Sequence, residues 1–358
     1  MTKPSSLEPT LQQFVSEYYG KQLASSADLK TNACCASGAP PAWITARLKN
    51  VHEEVQRRFY GCGFPIPHAL EGATVLDLGC GTGRDVYVLA QLVGESGHVH
   101  GIDMTAEQLS LARDTQRWHA DRFGHKTPNT SFHLGFIEDL RAVGIQDESV
   151  DVAVSNCVVN LSPRKDLVLA EIFRALKPGG ELYISDVVAD RRLPPEIAND
   201  PVLYAECLGG AMYQGDFVSL AKKTGFLDPR VVSTSPIVIN NEQIALRAGT
   251  TKFLSVTYRL FKLNSLDEQC EDYGQYATYN GGIAGAESLI WLDDHHAFER
   301  GRAERVCANT ASMLSNTRFA KWFDVRGDKQ THFGLYSCGP TIAAAQYAPT
   351  GGNAGACC

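Results

Sequence analysis

The sequence predicts an α/β fold, with a mainly parallel sheet covered by helices on both faces and a smaller mixed α+β domain at the C-terminal end. Three observations predict it. Short apolar runs alternate with amphipathic segments from residue 73 onward, as strands alternate with crossover helices in a parallel sheet. A glycine-rich turn, GCGTG, follows directly on one of those runs and opens into a helical pattern. After residue 240 the alternation weakens and gives way to the tyrosine- and glycine-rich stretch EDYGQYATYNGGIAG.

Residues 1–32 carry Leu11, Phe14, Val15 and Tyr18 at helical spacing, before the small-residue loop TNACCASGAPP. A second helical pattern, WITARLKNVHEEVQRRFY, covers 43–60 and ends at the turn GCGFPIP, in which Cys62 sits. TVLDLG then reads as the first strand, RDVYVLAQLV as its helix, HVHGID as the second strand and TAEQLSLARDTQRWHADRFG as the next helix. SFHLG and VDVAVSN read as strands three and four, RKDLVLAEIFRAL as a helix and GELYISD as a further strand. One more helix and strand at 216–225 and 229–240 complete a core over 71–240, preceded by a helical, cysteine-bearing segment over 1–70. KFLSVTYRLFKL reads as a strand of the C-terminal domain, 241–337. The tail, 338–358, is rich in Gly, Ala and Pro with little to bury, and is expected to be disordered.

The 33 basic and 40 acidic residues among 358 give a formal charge of -7, mixed along the chain rather than gathered into basic blocks. That argues against nucleic acid or an anionic membrane as partner. The N-terminus has no signal-like apolar stretch and no run is long enough to span a bilayer, so the expected compartment is the cytoplasm. Eleven cysteines there are a poor disulfide framework. They raise metal, metalloid or redox chemistry instead.

VLDLGCGTG, residues 75–83, places Gly79, Gly81 and Gly83 between a buried strand and a helix, where backbone amides can approach a ligand that a Cβ would block. Asp103 closes the next strand, placed to accept hydrogen bonds from ribose hydroxyls. A tight turn alone would use the same glycines, but the flanking strand and helix favour a ligand. The pattern is DxGxGxG with Asp77 inside it, rather than the pyrophosphate-binding GxGxxG. An acidic residue suits a positively charged, phosphate-free nucleotide, and S-adenosylmethionine is one. This segment resembles the first motif of the class I methyltransferases, and LKPGGELYISD, residues 176–186, resembles another. The resemblance implies their Rossmann-like sheet, Met104 beside Asp103 in the cofactor-binding set, and Ile137 and Glu138 at the adenine. It further implies Asn156 beneath the methionine moiety and Tyr60 covering it from the N-terminal side.

Four cysteines have distinctive contexts: Cys34 in DLKTNAC, Cys62 in RFYGCGF, Cys157 in VSNCVVNLSP and Cys207 in AECLGGAMY. Cys157 follows the strand ending at Asn156, at the carboxyl edge where open α/β sheets bind ligands. A thiol there offers a soft ligand rather than a base. Structural zinc is disfavoured, because Cys62, Cys157 and Cys207 are far apart in sequence with no CxxC pair among them.

These contexts, with NVHEEVQRRFYGCG, GIDMT, YNGGI and the terminal GACC, closely resemble the arsenite methyltransferase family from about residue 10 to about residue 290. The resemblance implies transfer of methyl from S-adenosylmethionine to As(III) bound by Cys62, Cys157 and Cys207, giving mono- and dimethylated arsenicals in arsenic detoxification. Cys34 is implied as the disulfide partner of Cys62, with Cys35 able to substitute, and glutathione or thioredoxin as reductant. No catalytic metal ion is expected, and the protein is expected to be a monomer. Cys80 reads as tolerated in the glycine loop, and Cys270, Cys307 and Cys338 as incidental. Cys357 and Cys358 read either as arsenic ligands or as exposed thiols, and DDHHAFER, residues 293–300, reads as a solvated surface. Two rival functions stay open on the residues alone: methylation of a small organic acceptor with the cysteines as packing residues, and thiol sequestration of a metalloid without turnover.

Overall fold

The computed structural model describes residues 11–22, 31 and 39–337. Helix α1 (Leu11–Glu17) runs into a π-turn over Tyr18–Gln22, and α2 (Ala42–Leu48) and α3 (Glu53–Arg57) follow. The single helix expected over 43–60 is therefore divided. His52 breaks the run and caps α3, its ring nitrogen accepting from the Glu54 amide at 3.3 Å.

The main sheet is built from β1 (Thr74–Leu78), β2 (His98–Asp103), β3 (Thr130–Leu134), β4 (Val150–Asn156), β5 (Leu176–Ala189), the short β6 (Met212–Tyr213), β7 (Arg230–Pro236) and β8 (Phe253–Phe261). The order is β3-β2-β1-β4-β5-β8-β7, with β6 beside β5. Strands β1 to β5 pair in parallel. Helices α4 (Arg84–Val93), α5 (Ala106–Asp114), α6 (Gln116–Phe123), α7 (Lys165–Ala175), α8 (Pro195–Ala198), α9 (Pro201–Ala205), α10 (Gln214–Thr224) and α11 (Glu242–Ala248) connect the strands.

Side chains alternate across a strand, and both faces are used. Leu76, Leu78 and Ala153 pack with Leu169 and Ile172 of α7 and Phe217 of α10. Val75, Val152 and Val154 pack on the other face with Val86 and Leu89 of α4 and Leu109 of α5. Strand order reverses between β1, which continues toward β2, and β4, which continues toward β5. Such a switch point opens a crevice at the carboxyl ends of the strands.

The expected division at residue 240 does not follow the sheet. Strand β8, assigned by its sequence to the C-terminal domain, lies antiparallel between β5 and β7 and pairs with β5 from Glu181↔Phe261 to Ala189↔Phe253. Its Val256, Tyr258 and Leu260 join the same core as Leu182 and Ile184. The apolar pattern marks a strand but carries no sign of which neighbour it pairs with.

Beyond β8 come β9 (Gln275–Tyr279), β10 (Leu289–Trp291), β11 (Ala297–Glu299), β12 (Ala303–Val306), α12 (Ala308–Ser315) and β13 (Phe323–Arg326). Strands β12 and β13 flank β9 antiparallel, and β10 pairs with β11. Their core, with Tyr279, Phe298, Met313 and Phe319, is continuous with Phe261 of β8. Buried ion pairs also join this region to the sheet. Glu181 of β5 meets Arg259 of β8 and Arg318, and Arg230 of β7 meets Asp228 at 2.7 Å and Asp293 at 2.9 Å. The segment DDHHAFER is thus not a solvated surface: Asp293 is 1% exposed and accepts from His296 at 2.7 Å. Nor is Cys307 incidental, since its sulfur caps α12 by accepting from the Thr310 amide at 3.4 Å. Among the described residues no helix is long and apolar enough to cross a membrane.

Candidate active site

A cleft opens at the switch point, between the carboxyl ends of β1, β2 and β4 and the inner side of α1. Its floor is the glycine turn. Gly79 has φ 66°, and a Cβ there would lie 2.4 Å from Val158, so only glycine fits. Gly81 has φ 54° and open space where a side chain would go, which leaves its backbone exposed to a ligand. Gly83, at φ 88°, sits behind the cleft as the N-cap of α4 and shapes the turn without lining it.

Asp77 and Asp103 both line the cleft. Burial, then the charges of Asp85 and Asp103, push the Asp77 carboxyl well above the usual range, against the pull of Arg84. Burial also raises Asp103, although its oxygens accept from the Gly81 amide at 2.9 Å and the Thr105 amide at 2.8 Å. Carboxyls raised in this way become ionised at less cost when a cation approaches. Arg84 does not supply it, since its guanidinium is committed to Asp85 at 2.7 Å and lies 3.0 Å over the Phe59 ring.

Asn156 ends β4 and clamps the turn that carries Cys62. Its Oδ1 accepts from the Gly63 amide at 3.1 Å, and its Nδ2 donates to the Gly63 carbonyl and to Asp85, both at 2.9 Å. The approach is close, and a Cβ on Gly61 would lie 2.7 Å from the Asn156 side chain. RFYGCGF therefore needs its glycines on either side of Cys62.

Cys62, Cys157 and Cys207 share one buried cluster with Val187, Ile197 and Leu208. Cys157 lines the cleft, while Cys62 and Cys207 lie deeper. Cys157 and Cys207 each have φ 61°, a left-handed conformation unfavourable for a residue with a Cβ. The Cys207 thiol donates to the Cys157 carbonyl at 3.2 Å. Among the described residues no three thiol, imidazole or carboxyl groups converge closely enough to hold a metal ion, so the thiols are neighbours without forming a closed three-ligand set. Cys34 and Cys35, and the tail cysteines Cys338, Cys357 and Cys358, lie outside the described residues.

Met104, Ile137, Glu138 and Tyr60 complete the predicted lining. Glu138 accepts from Ser162 at 2.5 Å and from Gln12 at 3.2 Å, so it is no solvated loop acid. Tyr60 meets Tyr19 edge-on with centroids 5.4 Å apart. Sequence reasoning missed Gln12, Val15 and Tyr19 of the N-terminal segment, and Arg58, Gln108 and Phe136. The spacing of residues 11–18 marked a helix but not what it covers. Arg58 Nε and Gln108 Oε1 are buried with no partner among the described residues, which fits a cleft made for a polar ligand.

Comparison with known proteins agrees with this architecture. A methyltransferase-domain family model matches residues 69–225, and a model of the arsenite methyltransferase C-terminal domain matches residues 273–346. The chain is 55% identical over 330 residues to an arsenite methyltransferase of Aquipseudomonas alcaligenes, covering 92% of this chain and 95% of that one. It is 46% identical over 319 residues to an arsenite methyltransferase of Homo sapiens, covering 88% and 84%. The crystal structure of an arsenic (III) S-adenosylmethionine methyltransferase from Chlamydomonas reinhardtii superposes with a TM-score of 0.81 at 46% identity, covering 84% of this chain and all of that one.

Proposed function

The chain belongs to the arsenite methyltransferase family, and on that premise we propose that it transfers the methyl group of S-adenosylmethionine to trivalent arsenic held by Cys62, Cys157 and Cys207. The observation that carries the proposal is the position of Cys157, which lines the cofactor cleft and shares a buried cluster with the other two thiols. Bound S-adenosylmethionine supplies an electrophilic methyl carbon on a cationic sulfonium.

Asp77 faces the cationic end of the cofactor, its carboxylate favoured by the incoming charge. Asp103 accepts from the ribose hydroxyls with the lone pairs its two amide donors leave unused. The Gly79 and Gly81 backbone lets the ligand lie close, and Gly83 acts by fixing the turn. Met104 and Ile137 pack on the adenine and Glu138 hydrogen-bonds it, while Tyr60 and Asn156 close the methionine end.

The three thiols pass their protons to the hydroxides of arsenious acid, which leave as three waters, so binding releases no net proton while the thiols are protonated. Arsenic keeps a lone pair opposite its sulfur ligands. That pair forms the new bond to the methyl carbon as the carbon–sulfur bond breaks and its electrons stay on sulfur, so no general base is required. The protein contributes alignment and exclusion of water, a proximity effect worth up to roughly 7–11 kcal/mol. Arsenic is formally oxidised by two electrons, and two thiolates return them by forming a disulfide, Cys34 with Cys62 on the family's pattern. Glutathione or thioredoxin then restores the thiols. A set of three soft thiols suits arsenic better than a resident catalytic metal. A cytoplasmic monomer yielding mono- and dimethylated arsenicals completes the reading.

The test incubates purified protein with arsenite, S-adenosylmethionine and a thiol reductant, then separates and quantifies methylated arsenicals beside Cys157→Ser. Product from the wild type alone is expected. Arsenite retained without any methylated product would leave sequestration as the function.

A further inference from the structure

We propose that Glu206 is a positioning residue, one that seats the N-terminal helix across the cofactor cleft and links occupancy of the adjacent Cys207 to closure of that cleft. The proposal rests on the functional reading above. Glu206 is 0% exposed, and the donors it accepts from reach it across the fold. The Tyr18 hydroxyl meets Oε1 at 2.5 Å, and both the amide and the hydroxyl of Thr31 meet Oε2 at 2.9 Å. On the residue before it, the Ala205 carbonyl accepts from the Tyr19 hydroxyl at 2.8 Å, and that hydroxyl lies 3.9 Å from the Cys207 sulfur.

The same N-terminal segment is held over the cleft at two further points. Gln12 donates to Glu138 at 3.2 Å, and Gln108 donates to the Tyr19 carbonyl at 2.9 Å. Gln12, Val15 and Tyr19 line the cleft between these anchors. The segment thus spans from Glu138 on one side to Glu206 on the other, touching both the cofactor cleft and the thiol cluster.

A wholly buried carboxylate is a poor packing group, because its desolvation must be offset by well-placed donors. An apolar residue would fill the same space at less cost. What the carboxylate adds is direction: it specifies where Tyr18 and Thr31 sit. Its link to the metalloid is the shared peptide with Cys207, whose left-handed φ of 61° makes it a point where backbone rotation relieves strain. Arsenic drawing the Cys207 sulfur toward Cys157 would move that peptide and, through Glu206, the helix. Such coupling acts equally in both directions.

The test measures binding of S-adenosylhomocysteine, which carries no methyl to transfer, to the full-length protein by calorimetry with and without arsenite. In the wild type arsenite is expected to tighten binding by about fivefold or more, the lower end of ordinary coupling between sites. In Glu206→Gln that ratio falls to about one, while arsenite still binds and melting stays cooperative. Tyr18→Phe removes one donor, keeps the ring and the carboxylate, and lowers the ratio as well, which covers a failure of Glu206→Gln to fold. A purely structural role would weaken each ligand and leave the ratio intact. An unchanged ratio in either folded variant, or no coupling in a wild type that binds both ligands, overturns the latch alone. A wild type that binds no arsenite overturns the functional reading, and the latch falls with it.

Discussion

The Cys207 thiol donates to the carbonyl of Cys157 at 3.2 Å, and both residues hold the left-handed backbone conformation at φ 61°. Each costs about 1–2 kcal/mol relative to a right-handed residue, and glycine would escape that cost. The strain places two sulfurs in one buried cluster, Cys157 lining the cleft and Cys207 lying deeper.

A comparison of Cys157→Gly with Cys157→Ala separates strain from function. Both lose the thiol, so both lose methylation, but the glycine variant should be the more stable by about 1 kcal/mol. Urea denaturation of the two variants beside the wild type measures this. An alanine variant as stable as the glycine one would mean that the backbone strain is not real.

The carboxyl of Asp77 is raised by burial and by its acidic neighbours, so its ionised form opposes folding of the ligand-free protein at neutral pH. Asp77→Asn should therefore melt at a higher temperature than the wild type. It should also bind the cationic cofactor about tenfold or more weakly, since a charge-assisted hydrogen bond contributes roughly 1.5–3 kcal/mol. Calorimetry and thermal melts must move in opposite directions. A fall in both would make Asp77 a structural residue.

The floor of the cleft was legible in the sequence because one strand–turn–helix unit carries most of it: Asp77, Gly79 and Gly81 lie within five residues, and Asp103 ends the next strand. The thiol side was legible only through family resemblance, because nothing in periodicity brings Cys62, Cys157 and Cys207 together. Two features were out of reach. Strand β8 joins the main sheet antiparallel, and an apolar run does not name its neighbour. The pairing of Glu206 with Tyr18 spans 188 residues, and neither residue type advertises it. DDHHAFER misled because clustered charges usually face water, whereas here Asp293 pairs with Arg230 and accepts from His296 in the interior.

Asn156 binds both backbone groups of Gly63, so it sets the position of Cys62 as well as the floor of the cleft. Asn156→Leu keeps the volume and removes the clamp. Methylation is expected to fall by about 100-fold or more, the ordinary cost of misplacing a reacting group by an ångström. Arsenite binding should weaken more than binding of S-adenosylhomocysteine. The reverse order would make Asn156 chiefly a cofactor contact.

Acid stability tests the buried join between the sheet and the C-terminal region. Burial alone would raise the Asp293 carboxyl, but the hydrogen bond and charge of His296 and the charge of Arg230 outweigh it and hold it at about 2. A carboxyl depressed from the ordinary 3.8 contributes stability that is present above pH 3.8 and is lost as the pH falls through about 2. Asp293→Asn removes that contribution and one of the two carboxylates on Arg230, which keeps Asp228, so it should cost about 1–3 kcal/mol near neutral pH. The gap between variant and wild type should narrow as the pH falls from about 4 toward 2, where the unfolded-state carboxyl takes up a proton while the native pair keeps its charge. Urea denaturation from pH 7 down to pH 3 reads both effects. A gap that stays constant with pH would mean that Asp293 acts through packing and hydrogen-bond geometry rather than through its charge.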